Sequence, residues 1–242
     1  MSRRCFGYTD FSHKGAKYRI GSACPEIVKD EIVSLRLQLE AYIDIFPDFK
    51  DSLIPIKPAA NAPEIARRMH QAAELTGVGP LAAVAGAIAE FSAQAAAAAG
   101  ERNVIVENGG DVFVITEKTR VISLFAGAAS LSWQLAFEIP PKRSPLAVCS
   151  SSATMGHSRS FGKADLVTVV AEDGALADAA ATALCNRVKT VEHIDQVLND
   201  GIEIHGIQGI LIVLGDRVGM IGDLPELVRH HDSEAPGKIS RN

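Results

Sequence analysis

The sequence predicts a single α+β domain in which mixed or antiparallel sheets pack against helices. Apolar residues recur at helical spacing from Pro25 to about Phe46, a second helix is expected over 63–76, and an alanine-rich helix follows. After Gly100 the chain changes to short β-branched segments that are typical of strands, with one further helix from Gly174 to about Val188. This order does not repeat a strand–helix–strand unit, so a parallel, doubly wound sheet is not expected.

The strands are expected to pair locally. Residues 8–22 predict two early strands, 117–119 predict a hairpin turn, and Gly215-Asp216 predicts a second hairpin. Asp173 is placed to cap the helix that begins at Gly174. We assign residues 1–228 to the folded domain and expect the polar residues 229–242 to form a disordered tail.

Composition excludes several classes of protein. A hydrophobic content of 47% over 242 residues supports a large core, and a net charge of −5 argues against a nucleic-acid binder. The four cysteines form no CxxC pair, and the N-terminus has no apolar signal segment, so we expect a cytoplasmic protein. The segment 78–100 is mostly alanine and includes Glu90, which predicts a buried helix and no membrane span. The same close-packing helix is compatible with a homodimer interface.

Asp178 and Thr182 are the first candidate site residues. They lie four residues apart in a predicted helix and therefore project from one face, among small alanine neighbours. A carboxylate and a hydroxyl are oxygen ligands suited to Mg²⁺. The alternative is an exposed polar stripe on an alanine-rich helix.

A glycine turn supplies the second candidate. Asn108, Gly109, Gly110 and Asp111 lie between two apolar strand segments, where glycines can adopt positive φ and present main-chain N–H groups to an anion. Asp111 could orient a ribose or a metal-bound water. The alternative is a tight turn with a solvated aspartate, and no GxGxxG fingerprint is present.

A segment rich in hydroxyl groups, residues 149–160, is the third candidate. Such a loop can wrap a phosphate or polarise a ligand carbonyl, whereas the alternative is a flexible Ser/Thr loop. No nucleophile-elbow pattern surrounds its histidine. The candidate ligand-binding residues in it are Ser150, Ser151, Ser152, His157 and Ser158.

Taken in order, these motifs resemble the ApbE family, whose members are FAD:protein FMN transferases with a Mg²⁺ site. The resemblance covers about half of the chain, from Pro80 to Arg187. Over its whole length the chain is similar to an uncharacterised branch of ApbE-like proteins. The motifs of that branch are Tyr18-Arg19, the stretch 77–86, the turn 107–111, Gly156-His157-Ser158, the stretch 162–165, and the helical stretch 177–182.

The resemblance implies an ApbE-like fold and a set of site residues. It places Mg²⁺ on Asp178, Thr182 and a main-chain carbonyl near Ala87, and it places the nucleotide beside the turn 108–111 and His157. His157 or Asp111 would then handle a proton. The implied ligand is a phosphorylated, nucleotide-like small molecule such as FAD or FMN, and the implied reaction is phosphoryl or nucleotidyl transfer or hydrolysis.

Departures from the transferase pattern leave a second hypothesis open. The transferases carry a lysine followed by a glycine near the flavin, where this chain has Glu90 and Phe91, and a carboxylate there would repel a pyrophosphate. The loop with His157 is also shortened. The alternative function is therefore a flavin- or metabolite-binding protein without catalysis.

Overall fold

The computed structural model describes residues 5–125, 135–153 and 162–229. The predictions for His157 and Ser158 lie outside these ranges, as do those for residues 230–242. In chain order the strands are β1 Gly7–His13, β2 Ala16–Ser22, β3 Val104–Asn108, β4 Asp111–Ile115, β5 Arg120–Leu124, β6 Leu135–Ile139, β7 Leu146–Ser151, β8 Leu166–Ala171, β9 Ile207–Leu214, β10 Arg217–Gly222 and β11 Glu226–Arg229. The helices are α1 Pro25–Ile45, α2 Asp48–Asp51, α3 Glu64–Thr76, α4 Val84–Ala98, α5 Gly174–Arg187 and α6 His193–Ile202.

Two antiparallel sheets form the framework. The large sheet has eight strands in the order β1-β2-β3-β4-β7-β8-β9-β10, and the small sheet has three in the order β11-β6-β5. Every pairing in both sheets is antiparallel. The predicted single α+β domain with antiparallel sheets is therefore confirmed.

Both faces of the large sheet are covered. Phe113 and its neighbours on one face pack against helices α1, α3, α4, α5 and α6, whereas Val112 and Val114 pack on the other face with residues of the small sheet. Successive side chains of a strand point to opposite faces, which explains why all six residues of β8 are buried. The large sheet is thus the middle of three layers, with the helices on one face and the small sheet on the other.

Helices α4 and α5 cross at a pair of glycines. A Cβ atom added to Gly86 would lie 2.8 Å from the carbonyl carbon of Gly174 and 2.8 Å from the Cβ of Asp178, and closer still to the carbonyl oxygen of Gly174. A Cβ on Gly174 would similarly collide with the main chain of Gly86. The absence of side chains at both positions therefore lets the two helix backbones touch.

The alanine-rich helix is an interior element. Pro80–Ala98 is long and apolar enough to cross a membrane by length and composition alone, a property that core helices share. In this fold α4 packs against α1, α5 and strands β3 and β4, and Ala87, Ile88 and Ala93 are fully buried. The prediction that this helix is buried in the core is therefore confirmed.

Three local predictions need correction. The residues 117–119 do not form a hairpin, because β4 belongs to the large sheet and β5 to the small one. Part of the expected Ser/Thr loop, up to Ser151, is strand β7, which pairs with β4 and β8. Arg229, placed in the tail, pairs with Leu135 as the last residue of β11. In each case the strand partner is distant in sequence, so a local pattern does not reveal it.

Candidate functional site

Two buried aspartates lie where α4 begins beneath the sheet. Asp178 is one turn into α5, and its Oδ2 accepts hydrogen bonds from the main-chain N–H groups of Ala85, at 3.0 Å, and Gly86, at 2.9 Å. These N–H groups belong to the first turn of α4, whose partial positive charge favours a carboxylate. The close crossing of the two helices brings the side chain of Asp178 within reach of that turn.

Asp111 is held by the strand beside it. It is the first residue of β4, and its Oδ1 accepts a hydrogen bond from the main-chain N–H of Ser150 at 3.1 Å. The Cys149 thiol, which is buried nearby, donates a hydrogen bond to the main-chain carbonyl of Gly174 at 3.7 Å. Burial, followed by the nearby charge of Asp111, raises the pKa of the Cys149 thiol well above its usual value, so this group stays protonated and donates.

The predicted glycine turn leads into Asp111. Asn108 and Asp111 are paired across a two-residue turn, and both Gly109 and Gly110 have positive φ, as expected. The side-chain amide of Asn108 donates to the carbonyl of Ala85 at 3.3 Å. The turn is thereby tied to the first turn of α4, next to Asp178.

The two carboxyls influence each other's protonation. Burial raises the pKa of Asp178 to about 7, and burial together with the charge of Asp178 raises the pKa of Asp111 well above its usual value. Within the described residues neither carboxyl forms an ion pair with a lysine, arginine or histidine. At neutral pH the pair therefore needs either a proton or a bound cation.

The oxygen atoms around this pair fit a hard cation better than a soft one. Thr182 follows Asp178 by one helical turn and is half-buried, and Ala87 lies in the first turn of α4. Over residues 5–125, 135–153 and 162–229 no three His, Cys, Asp or Glu side chains are arranged to hold a metal ion. A cation here would take one carboxylate together with hydroxyl, main-chain carbonyl and water oxygens, which is the pattern typical of Mg²⁺.

The serines of the third candidate segment divide between the two faces of the sheet. The hydroxyl of Ser150 hydrogen-bonds that of Thr168 at 2.9 Å, on the face opposite Cys149. Ser151 shares the face of Cys149 because the two are separated by one residue in β7, and its buried Oγ has no hydrogen-bond partner among the described atoms. The structure therefore brings Ser151 to the side of the carboxyls, while Ser150 contributes only its main-chain N–H. Ser152 follows the strand and is half-buried.

Glu90 does not face an open anion site as its position in the resemblance suggested. Its Oε2 accepts a 2.7 Å hydrogen bond from the N–H of Gly174 at the start of α5, and its other oxygen accepts from Gln94. The side chain is 3% exposed. Burial, together with the charge of Asp173, raises the pKa of Glu90. The Glu90 carboxyl thus caps α5 at the N–H of Gly174. Asp173, the predicted N-cap residue of the same helix, accepts a hydrogen bond from the N–H of Leu176.

Removal of this buried cap tests the assignment. We expect Glu90→Ala to lower the free energy of unfolding by about 1–3 kcal/mol, since the N–H of Gly174 would remain buried without a partner. Glu90→Gln, which keeps an acceptor oxygen, should lose less. Urea unfolding followed by circular dichroism measures both, and equal losses for the two variants would show that the hydrogen bond to Gly174 is not what Glu90 contributes.

Sequence reasoning missed two parts of the site. The N–H groups of Ala85 and Gly86 give no side-chain signal, and Cys149 was treated as one member of a loop. The glycine at position 86, at the start of an alanine-rich helix, was the available hint of a close approach.

A family model and two similar proteins assign this chain to the same protein family. A family model described as AbpE bacteria matches residues 15–205. The UPF0280 protein of Methanocella arvoryzae is 40% identical over 230 residues, which cover 91% of this chain and 94% of that protein. The UPF0280 protein of Methanocaldococcus jannaschii is 44% identical over 203 residues, 82% of each.

Solved structures share the fold at much lower identity. The flavin transferase ApbE from Vibrio cholerae superposes with a TM-score of 0.57 at 14% identity, covering 91% of this chain and 97% of that one. The ApbE protein from Thermotoga maritima gives a TM-score of 0.53 at 14% identity, covering 98% of this chain and 100% of that one. At this level of identity the likeness concerns the fold.

Proposed function

The chain belongs to the UPF0280 family of ApbE-like proteins, and on this premise we propose that it binds a phosphorylated, nucleotide-like ligand, with FAD as the first candidate, together with Mg²⁺. The observation that carries the proposal is the buried pair Asp111 and Asp178. Neither has a cationic side chain as an ion-pair partner in the described part of the chain, and burying such charge without compensation is costly.

Each residue of the proposed site has a defined task. Asp178 and Thr182 would hold the cation, with a main-chain carbonyl near Ala87. Mg²⁺, when bound, neutralises phosphate charge. In a two-residue turn the central N–H groups are outside the strand ladder, so those of Gly109 and Gly110 are available to a phosphate oxygen.

Asp111 is the group proposed to move a proton. Burial and the nearby charge of Asp178 raise the pKa of Asp111 well above its usual value, and a carboxyl with a raised pKa suits general acid–base work. The transfer would be of phosphoryl or nucleotidyl type, or hydrolysis. His157, the other proposed proton-handling residue, lies outside the described residues.

A second candidate function is binding without turnover. Asp111 accepts a hydrogen bond from the Ser150 N–H, which favours a carboxyl that is held in place as part of a binding surface. In that case the ligand would be retained unchanged.

Fluorescence titration of FAD into the purified protein, with and without Mg²⁺, tests the proposal. We expect saturable quenching of flavin fluorescence that requires Mg²⁺. Chromatography of the mixture then separates the two candidates, because transfer or hydrolysis releases AMP or FMN and binding alone releases neither. Absence of Mg²⁺-dependent binding to FAD and to its parts, FMN and ADP, would contradict the proposed ligand class.

The hydroxyl of Thr182 gives a narrower test of the cation site. Thr182→Val keeps the shape of the side chain but removes one oxygen ligand, and we expect it to weaken Mg²⁺-dependent FAD binding about 10-fold or more. Thr182→Ser restores the hydroxyl and should bind like the parent protein. If Thr182→Val binds as well as Thr182→Ser, the hydroxyl is not a ligand of the cation.

A further inference from the structure

Strand β10 forms one edge of the large sheet, and no described strand pairs with its outer side. Leu214 and Arg217 flank the two-residue turn at Gly215-Asp216, so they form a hydrogen-bonded pair. Because antiparallel pairs alternate, every second residue of β10 turns its N–H and C=O groups away from β9. The residues whose main-chain groups face outward are Val218, Met220 and Gly222.

The outward positions of β10 carry no charge. Val218 is 39% exposed and Met220 is 53% exposed, and both lie on the same face of the strand. Strand β1 forms the other edge of the sheet, and its residue His13 pairs with Ala16 across the two-residue turn at 14–15. By the same alternation, Asp10 is one of the residues of β1 whose main-chain groups face outward, and it lies near the middle of the strand. A charge at that position opposes pairing with another copy of the strand, and β10 has no equivalent protection.

Self-pairing of β10 has one register that uses all three outward residues. If Met220 pairs with Met220 of a second copy about a twofold axis, Val218 lies opposite Gly222 of that copy, and every outward N–H and C=O group finds a partner. The same register places Arg217 opposite Asp223 of the second copy. Asp223 pairs with Arg143 of its own protomer at 2.6 Å, but its side chain is 81% exposed, so its carboxylate can also meet Arg217 of the second copy at both ends of the pairing.

We propose that two copies of this chain associate through antiparallel pairing of their β10 strands, with the twofold axis at Met220. The two large sheets then become continuous, and the exposed Val218 and Met220 side chains of both copies form one apolar stripe. The proposal rests on the strand edge alone and is independent of the proposed ligand.

Sedimentation equilibrium of the full chain tests this interface. We expect the parent protein to be a dimer at micromolar concentration. Met220→Lys brings two like charges face to face at the axis, and its dimer dissociation constant should rise about 10-fold or more. Val121→Lys is the matched control, because Val121 is a 42% exposed residue of another edge strand, β5, and its dimer should be unchanged.

A cross-linking experiment fixes the register. Met220→Cys, made in a Cys5→Ser background, should form a disulfide-linked dimer under mild oxidation, because directly opposed residues of a hydrogen-bonded pair have Cα atoms within disulfide range. The background variant without the new cysteine should not. A monomeric parent protein, a dimer unaffected by Met220→Lys, or equal dissociation by Val121→Lys would overturn the proposal.

Discussion

Asp178→Asn is expected to make the metal-free protein more stable at pH 8 while it abolishes the stabilisation by Mg²⁺. The asparagine side-chain oxygen can still accept the N–H groups of Ala85 and Gly86, so the cap on α4 is kept. The substitution removes a negative charge that is buried beside Asp111. A cation ligand and an unfavourable charge are therefore lost together.

The pH dependence of this effect has a definite sign. The pKa of Asp178 is about 7 in the folded protein, against an ordinary value of 3.8. Between these values the folded state binds more protons than the unfolded state, so stability is fully present below pH 4 and falls as the pH rises towards 7. The loss from this group reaches about 4 kcal/mol, at roughly 1.4 kcal/mol for each unit of pKa difference.

Thermal unfolding between pH 4 and pH 8, with and without Mg²⁺, measures both effects. The parent protein should lose stability across this range without Mg²⁺ and regain part of it when Mg²⁺ is added, whereas Asp178→Asn should respond less to either. Asp30→Asn, at an exposed position of α1, is the matched control and should behave like the parent. If Asp178→Asn is less stable than the parent at pH 8, the buried charge of Asp178 does not destabilise the metal-free protein as proposed.

Gly86→Ala is expected to destabilise the protein strongly, because Gly86 lies where α4 crosses α5. The added Cβ would meet the main chain of Gly174 and the Cβ of Asp178, neither of which can move as the end of a flexible side chain would. The helices α4 and α5 must separate, and we expect a loss of about 3 kcal/mol, at the upper end of typical overpacking costs.

The same displacement should affect the site. Separation of the helices lengthens the hydrogen bonds from Ala85 and Gly86 to Asp178, so the response to Mg²⁺ should weaken as well. Gly7→Ala is the control, because a Cβ at Gly7 meets no atom within 4 Å. Urea unfolding of both variants measures the loss, and a Gly86→Ala protein as stable as Gly7→Ala would mean that the helices do not cross as closely as described.

The helices and the glycine turn were predictable because their signals are local. The spacing of apolar residues gave α1 and α3 to within a residue or two, and the pair Gly109-Gly110 indicated a tight turn between strands. Sheet membership is not local, which is why the turn at 117–119 was assigned to a hairpin although its flanking strands enter different sheets.

The candidate site was predictable only in part for the same reason. Asp178 and Asp111 were each identified from their own segments, but their shared burial depends on the packing of α5 against α4 and on the pairing of β4 with β7. Glu90 was expected to repel a pyrophosphate, whereas it caps α5. Its partner, the N–H of Gly174, is a main-chain group distant in sequence, so the pattern of side chains does not indicate it.

Calorimetric titration of Mg²⁺ into the protein with FAD present, repeated in buffers of different ionisation enthalpy, tests the central claim most directly. If Asp178 holds the cation, binding must displace a proton from the buried pair Asp111 and Asp178, and the observed heat at pH 6–7 will depend on the buffer. The account predicts net proton release that is lost in Asp178→Asn. Mg²⁺ binding without proton release, or release that persists in Asp178→Asn, would place the cation elsewhere.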